Sequence, residues 1–235
     1  MKKFVVATCL ALTPWLACAQ EDAIRKNLPT LLPKFPKIEE VRPTPMNGLY
    51  EVRVNESEIF YTDAKGEFLV QGHLIDLKSK RNLTEERTEK LQAIPFDKLP
   101  LKDAFTIVRG KGERKLAVFE DPRCGYCKRF ERDLQKIDNV TIHMFLYPIL
   151  GPESVGMSKT IWCAKDKKKS FLDWMIRDVP PVGAQNCDTS TLARNTEFGR
   201  KHKINGTPTL IFADGSRVPG AVPADQVEKM LAEAQ

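Results

Sequence analysis

Around Tyr50 the chain alternates: Tyr50, Val52 and Val54 lie on one face of a strand, with Glu51 and Arg53 on the other. The period continues through GLYEVRVNESEIFYTDAKGEFLVQGHLIDL, where residues 55–57 and 63–66 carry turn chemistry, so the segment predicts a meander of hairpins. Its last run, 68–77, predicts a long edge strand open to pairing with another chain. Upstream, Ile24, Leu28, Leu31 and Leu32 have helical spacing in a short helix interrupted by Pro29 and stopped near Pro33. Downstream, NLTEERTEKLQAI opens on Asn82 as a cap, with Glu85 three residues later as in a capping box. Its apolar positions, Leu83, Leu91 and Ile94, are sparse, so it predicts a spacer helix.

The pattern changes near Pro95. FTIVRG and RKLAVFED flank a Lys111-Gly112 turn and predict a hairpin. A helix is expected from Cys124 to Ile137, a strand at VTIHMFLYP, and a helical insertion over about 153–200. TPTLIFADGSRVPG predicts two strands across Asp214-Gly215, and ADQVEKMLAEA a closing helix with Val227, Met230 and Leu231 inward. This is the element order of thioredoxin, an α/β fold.

Composition then sets the class. A chain of 235 residues with 42 % hydrophobic content supports one or two domains with a core. Lys2 and Lys3 lead into FVVATCLALTPWLACA, an apolar stretch too short to span a bilayer, and Ala17-Cys18-Ala19 suits signal peptidase. Residues 1–19 therefore read as a cleaved signal peptide, with the mature chain starting near Gln20. A competing reading makes Cys18 a lipid-modified first residue, but Trp15 stands where such sites carry an aliphatic side chain. The remaining chain divides into 20–79, a small α+β N-terminal unit; 80–94, the linker helix; and 95–235, the catalytic domain. The leader holds two lysines and no acid, so its loss takes the net charge from +6 to +4. The basic run KDKKK at 165–169 reads as a solvated helix face, and without interleaved aromatics it does not indicate nucleic acid. Cleavage also removes Cys9 and Cys18, leaving Cys124, Cys127, Cys163 and Cys187 in a compartment where disulfides persist.

The candidate chemistry lies in DPRCGYCKRF. Only a thiolate attacks a disulfide, and a cysteine in the first turn of a helix faces unsatisfied backbone N–H groups and the positive end of the dipole. Cys124 is thus the attacking thiol, and Cys127, nearly one turn on and turned inward, is the resolving thiol. Arg123, Lys128 and Arg129 either add positive potential or simply solvate the helix. Three readings compete. A zinc site wants four ligands, but Cys163 and Cys187 are widely spaced and His143 and His202 lack ligand spacing, so no metal or other cofactor is expected. A Cys–His hydrolase has no histidine tied to Cys124, and inert buried thiols do not suit an exported C-x-x-C. In NGTPTLIF, Pro208 opens a strand; beside a C-x-x-C in this element order, a cis bond after Thr207 is expected. The Thr207 backbone would then be open to an extended substrate next to Cys124. Cys163 and Cys187 read as a structural disulfide closing a loop of about 25 residues, worth ~3.5 kcal/mol.

CGYC, TIWCAKDKKKSF, NGTPTL and RVPG together resemble the bacterial periplasmic disulfide isomerases of the DsbC/DsbG family, over essentially the whole mature chain. The resemblance implies a thioredoxin-like fold with a helical insertion. It makes Cys124 the nucleophile, Cys127 its partner, Pro208 a cis proline preceded by Thr207, and Cys163–Cys187 a structural bridge. It also implies a homodimer joined through the N-terminal sheet, a V whose arms face an uncharged cleft. Misfolded disulfide-containing exported proteins would bind there, with chaperone-like holding, and a membrane reductase of the DsbD type would supply electrons. An isomerase needs such a supply, because Cys124 must stay reduced where thiols oxidise. Thioredoxin's buried carboxylate lies six residues before the first cysteine, where this chain has Val118. Glu120 and Asp121 are expected at the strand's exit, with no proton-shuttle role. Tyr126 stands where strongly oxidising relatives carry histidine, which tilts the reading toward isomerase. The expected function is periplasmic disulfide isomerisation. The rivals are a monomeric dithiol oxidase and a periplasmic chaperone with secondary redox activity.

Overall fold

The computed structural model describes residues 13–183 and 186–234, and the chain divides into two compact units between Leu91 and Gln92. Most of the expected signal peptide, residues 1–12, lies outside the described residues.

In the first unit, helix α1 (Thr13–Leu31) precedes an antiparallel sheet ordered β1 (Glu40–Pro43), β2 (Leu49–Val54), β3 (Glu58–Asp63) and β4 (Leu69–Val70). Val52 and Val54 point inward from β2 and meet Ile24 and Leu28 of α1, with Ile38 and Phe60 completing the core. Gly66, at φ +70°, turns the chain so close to α1 that a Cβ would sit 3.1 Å from the Ile24 Cα. Leu31 and Leu32 do not join this core: they are 62 % and 45 % exposed, because the sheet covers only the turns carrying Ile24 and Leu28.

The run 68–77 is not one strand. Leu69 and Val70 pair with Thr62 and Tyr61, Gly72 follows, and the chain enters a separate ribbon of β5 (Ile75–Asp76) and β6 (Arg81–Asn82). Helix α2 (Leu83–Gln92) is polar because polar groups hold it in place. The Thr84 hydroxyl bonds the Tyr61 hydroxyl and accepts the Leu74 N–H at 2.8 Å, while Arg87 reaches Glu40 at 2.8 Å and Glu51 at 3.1 Å. The helix expected as a spacer is therefore anchored on the sheet of the first unit. Its cap is Asn82, whose Oδ1 accepts the Glu85 N–H at 3.2 Å.

The second unit is a five-stranded sheet in the order β11 (Arg217–Pro219), β10 (Thr209–Phe212), β8 (Arg114–Glu120), β9 (Val140–Leu146), β7 (Phe105–Arg109). β8 and β9 are parallel; the other pairs are antiparallel. The expected β7–β8 hairpin does not form, because β9 inserts between the two strands. Two strands separated by a third lie roughly 9.5 Å apart, which the four-residue stretch 110–113 spans and a two-residue turn does not.

Residues along β8 alternate between two cores. Leu116 and Val118 face one side, packed with Phe130 and Leu134 of α3 (Gly125–Leu134), Ile161 of α4 (Pro152–Cys163), Phe171 of α5 (Lys167–Arg177) and Val227 of α7 (Ala224–Glu233). Ala117 and Phe119 face the other, with Tyr147 and Ile204, and Phe198 of α6 (Ser190–Lys201) packs against them. Covering both faces explains why β8 and β10 read as nearly continuous apolar runs. Gly199 of α6 is required by close approach, since a Cβ there would lie 2.4 Å from the Tyr147 ring. The basic run 165–169 opens α5, where Asp166 caps the helix by accepting the Lys169 N–H at 2.8 Å and Lys168 is exposed. Among the described residues, no helix is long and apolar enough to cross a membrane.

Candidate redox site

The apolar run of β8 ends at Glu120, and Asp121 shapes the turn that follows. One carboxylate oxygen of Asp121 accepts the Arg123 N–H at 2.8 Å; the other accepts those of Ile149 and Leu150 at 2.8 and 2.9 Å. Asp121 thereby ties the turn before α3 to the loop after β9. Cys124 is the N-cap of α3 (φ −77°, ψ 117°), so the helix starts one residue later than expected and the cysteine's sulfur replaces the usual capping oxygen. Its Sγ accepts the Cys127 N–H at 3.4 Å and, in the thiol form, donates to the Thr207 carbonyl at 3.4 Å. Cys127 lies on the inward stripe of α3 with Phe130 and Leu134, fully buried.

Cys124 is only 6 % exposed, less open than its position in a C-x-x-C suggests, because the segment before β10 places Thr207 against the sulfur. The Thr207–Pro208 peptide bond is cis, and Thr207 is half-buried. Tyr126, between the cysteines, is 63 % exposed and lines a surface cavity of about 600 Å³ with Arg129, Phe130, Val222 and Pro223.

The two thiols are electrostatically opposite. The hydrogen bond from the Cys127 thiol, then those from Thr207 and the backbone N–H groups of Cys127 and Tyr126, bring the Cys124 pKa down to about 5 against the opposing effect of burial. Cys127 is pushed far above the ordinary thiol range by burial, by its bond to Cys124 and by the nearby Glu120 charge. At neutral pH the site thus holds one thiolate and one thiol. The flanking bases are engaged elsewhere. Arg123 pairs with Glu153 at 2.5 Å, Lys128 pairs with Asp178 at 2.6 Å over the Trp174 ring, and Arg129 stacks over Tyr126. Among the described residues no cluster of His, Cys, Asp or Glu has the makings of a metal site.

The comparisons with known proteins match this geometry to a family. Residues 101–235 match the thioredoxin-like domain model, and residues 15–85 match the N-terminal domain model of disulfide bond isomerases. The probable thiol:disulfide interchange protein DsbC of Bordetella parapertussis is 43 % identical over 212 residues, covering 90 % of this chain and 74 % of that protein. The chain belongs to the DsbC-type thiol:disulfide interchange proteins. The Escherichia coli thiol:disulfide interchange protein DsbC is 29 % identical over 241 residues, 100 % of this chain and 98 % of that one. A disulfide interchange protein from Neisseria gonorrhoeae, known from a crystal structure, is 38 % identical with a TM-score of 0.55, covering 58 % of this chain and 99 % of that one. This DsbC-type chain is therefore a thioredoxin-like α/β enzyme of disulfide exchange.

Cys163, at the end of α4, is bonded to Cys187, ahead of α6, with 5.5 Å between their Cα atoms. Replacing both by serine is expected to cost about 3.5 kcal/mol by freeing the unfolded chain. A urea titration checks this, and Cys124 alkylation is expected to change less than about twofold in the same variant.

Sequence reasoning missed two residues of this DsbC-type site. Glu120, expected at the strand's exit, is fully buried, and so is Glu131 of α3. Both follow from period: Glu120 continues the inward alternation of Leu116 and Val118, and Glu131 lies four residues after inward-facing Cys127.

Proposed function

We propose that this DsbC-type protein is a periplasmic disulfide isomerase acting on misfolded disulfide-containing exported proteins. The observation that carries the reading is the pairing of a stabilised Cys124 thiolate, at the start of α3 and next to Thr207, with a buried, protonated Cys127. Cys124 attacks a wrong client disulfide, forming one S–S bond to the client and releasing a client thiolate. That thiolate, or another, attacks the mixed disulfide, forms the correct client bond and regenerates Cys124. No net electrons move. If no client thiol arrives, Cys127 displaces the client, which leaves reduced by two electrons while the enzyme is oxidised. A membrane reductase of the DsbD type then returns those electrons. Thr207 and Pro208 border the sulfur and take an extended client segment by backbone hydrogen bonds, and the cavity beside Tyr126 accepts its apolar side chains. Reactivation of scrambled ribonuclease by the reduced protein tests the reading, and no reactivation refutes it.

In this reading residues 1–19 are an export signal, 20–79 the dimerisation unit, 80–94 the linker and 95–235 the catalytic domain, with the Cys163–Cys187 bridge structural. The homodimer is supported by an exposed apolar series, Phe68, Val70, Ile75 and Leu77, the last 85 % exposed, around the edge strand β4. The same apolar surfaces support chaperone-like holding of clients. Val70→Asp with Leu77→Asp is expected to convert the dimer to a monomer by light scattering and to leave Cys124 alkylation unchanged. A wild-type monomer would favour the oxidase alternative.

A further inference from the structure

The helical insertion after β9 reaches back to the turn that carries Cys124, and it does so through Trp174 of α5. Phe171 and Met175, both fully buried, anchor α5 in the core, and the half-buried indole of Trp174 lies between them in sequence. Its N–H donates to the carbonyl of Pro122, a buried residue two positions before Cys124. The Pro122 ring fixes φ, so rotation about ψ, which turns the Pro122–Arg123 peptide, is the freedom left at that point. Both ends of this peptide are held. Its carbonyl accepts from Trp174, and its N–H, that of Arg123, donates to the Asp121 carboxylate at 2.8 Å. The next N–H, that of Cys124, donates to the Asp121 carbonyl at 3.0 Å. The backbone entering the N-cap is thus gripped by Asp121 on one side and by the insertion on the other.

A second tie holds the helix that follows. α5 ends on Asp178, in the left-handed region at φ +57°, and its carboxylate takes Lys128 at 2.6 Å and Arg132 at 2.7 Å, both from α3. The Lys128 ammonium stands 3.4 Å from the centre of the Trp174 ring. Trp174 therefore meets the chain on both sides of Cys124, the turn through its N–H and α3 through its face.

The sulfur is sensitive to this grip because the bonds that stabilise it are directional. The Cys127 N–H reaches Sγ at 3.4 Å, and such bonds weaken steeply as their angle closes. Turning the Pro122–Arg123 peptide swings Cys124 away from N–H groups that α3 holds still. The titratable groups facing Cys124 are the Cys127 thiol on α3 and Glu120 at the end of β8. Nearby charges are paired, Arg123 with Glu153 of α4 and Lys128 with Asp178, while Arg129 lies over Tyr126. The segment before β10 contributes the uncharged Thr207.

We propose that Trp174 is a positioning residue of the redox site, whose indole N–H fixes the Pro122 carbonyl and so keeps the Cys124 sulfur in line with the N–H groups of α3. It acts through the Pro122–Arg123 peptide. Without the indole donor that peptide turns, the thiolate loses part of its hydrogen bonding, and Cys124 becomes a weaker acid. This inference rests on the reading of Cys124 as a stabilised thiolate, and one set of pH profiles separates the two failures.

Alkylation of Cys124 by iodoacetamide is followed from about pH 3.5 to pH 9 in the reduced full chain, for wild type, Trp174→Phe and Trp162→Phe. Phenylalanine keeps an aromatic face for Lys128 and removes the donor. Trp162 of α4 is the control, since its indole N–H also donates to a carbonyl, at 3.1 Å, but to that of Asp188 next to the Cys163–Cys187 bridge. Trp174→Phe is expected to raise the inflection by about half a unit to one unit, and Trp162→Phe by less than about 0.2 unit. A merely structural role would lower the urea midpoint of Trp174→Phe and leave its inflection in place, which overturns the proposal and spares the thiolate reading. Equal rises in both variants overturn it too, because general loosening then suffices. A wild-type inflection in the ordinary thiol range overturns the stabilised thiolate and the positioning role together. Wild type alone supplies a second measurement: the Trp174 indole N–H is expected to exchange with deuterium at least about a hundredfold more slowly than that of free tryptophan. Exchange at the free rate overturns the proposal even if Trp174→Phe fails to fold.

Discussion

Cys124→Ala is expected to lose reactivation of scrambled ribonuclease entirely, down to the uncatalysed rate, while Cys127→Ala keeps a measurable part of it. The asymmetry follows from where the two sulfurs sit. Cys124 caps α3 and is ionised at neutral pH, so every turnover begins with its attack, and no other described free cysteine replaces it. Cys127 is fully buried and protonated, and it enters only when the client is not resolved by its own thiols. Its loss removes the exit route, so client–enzyme adducts are expected to accumulate on non-reducing gels. It also removes the hydrogen bond that contributes most to the acidity of Cys124, so the remaining activity is expected to fall more steeply in acid than that of wild type. Full activity in Cys124→Ala would overturn the assignment.

Much of this enzyme was legible because its signals are local. The C-x-x-C before a helix, the apolar runs of β8–β10 and the amphipathic α7 each need only a dozen residues to declare themselves. What failed was non-local. The turn at Lys111-Gly112 looks the same whether β7 and β8 pair or β9 enters between them, and only packing of both sheet faces decides it. The run 68–77 has strand composition, but Gly72 and the separate pairing of Ile75 with Asn82 divide it. At the site, the cysteines stood out by spacing, whereas Glu120 looked like a polar strand end. Its charge obscured an alternation that Leu116 and Val118 had already set. A buried acid breaks the hydrophobic pattern, so pattern alone reads it as surface.

The rate of Cys124 with a neutral disulfide probe is expected to cross that of glutathione near neutral pH, faster below and slower above. The sign comes from two opposing effects. With a pKa of about 5 against an ordinary thiol's roughly 8.5, Cys124 has about thirty times more thiolate at pH 7. The same drop of about 3.5 units lowers intrinsic nucleophilicity by roughly fortyfold, so the gain and the loss nearly cancel there. At pH 5 the thiolate advantage exceeds a thousandfold and Cys124 is expected to win by about tens of fold; at pH 8.5 it loses by a similar factor. Parallel profiles with an inflection near the ordinary thiol value would contradict the stabilised thiolate. The acidity of Cys124 therefore does little for attack at neutral pH. It acts in the second step: a client thiol that attacks the client's own sulfur expels Cys124, an excellent leaving group, whereas Cys127 attacking Cys124 must expel a client thiol of ordinary basicity. The same depressed pKa thus favours rearrangement of the client over its release in reduced form, which is the partition an isomerase requires.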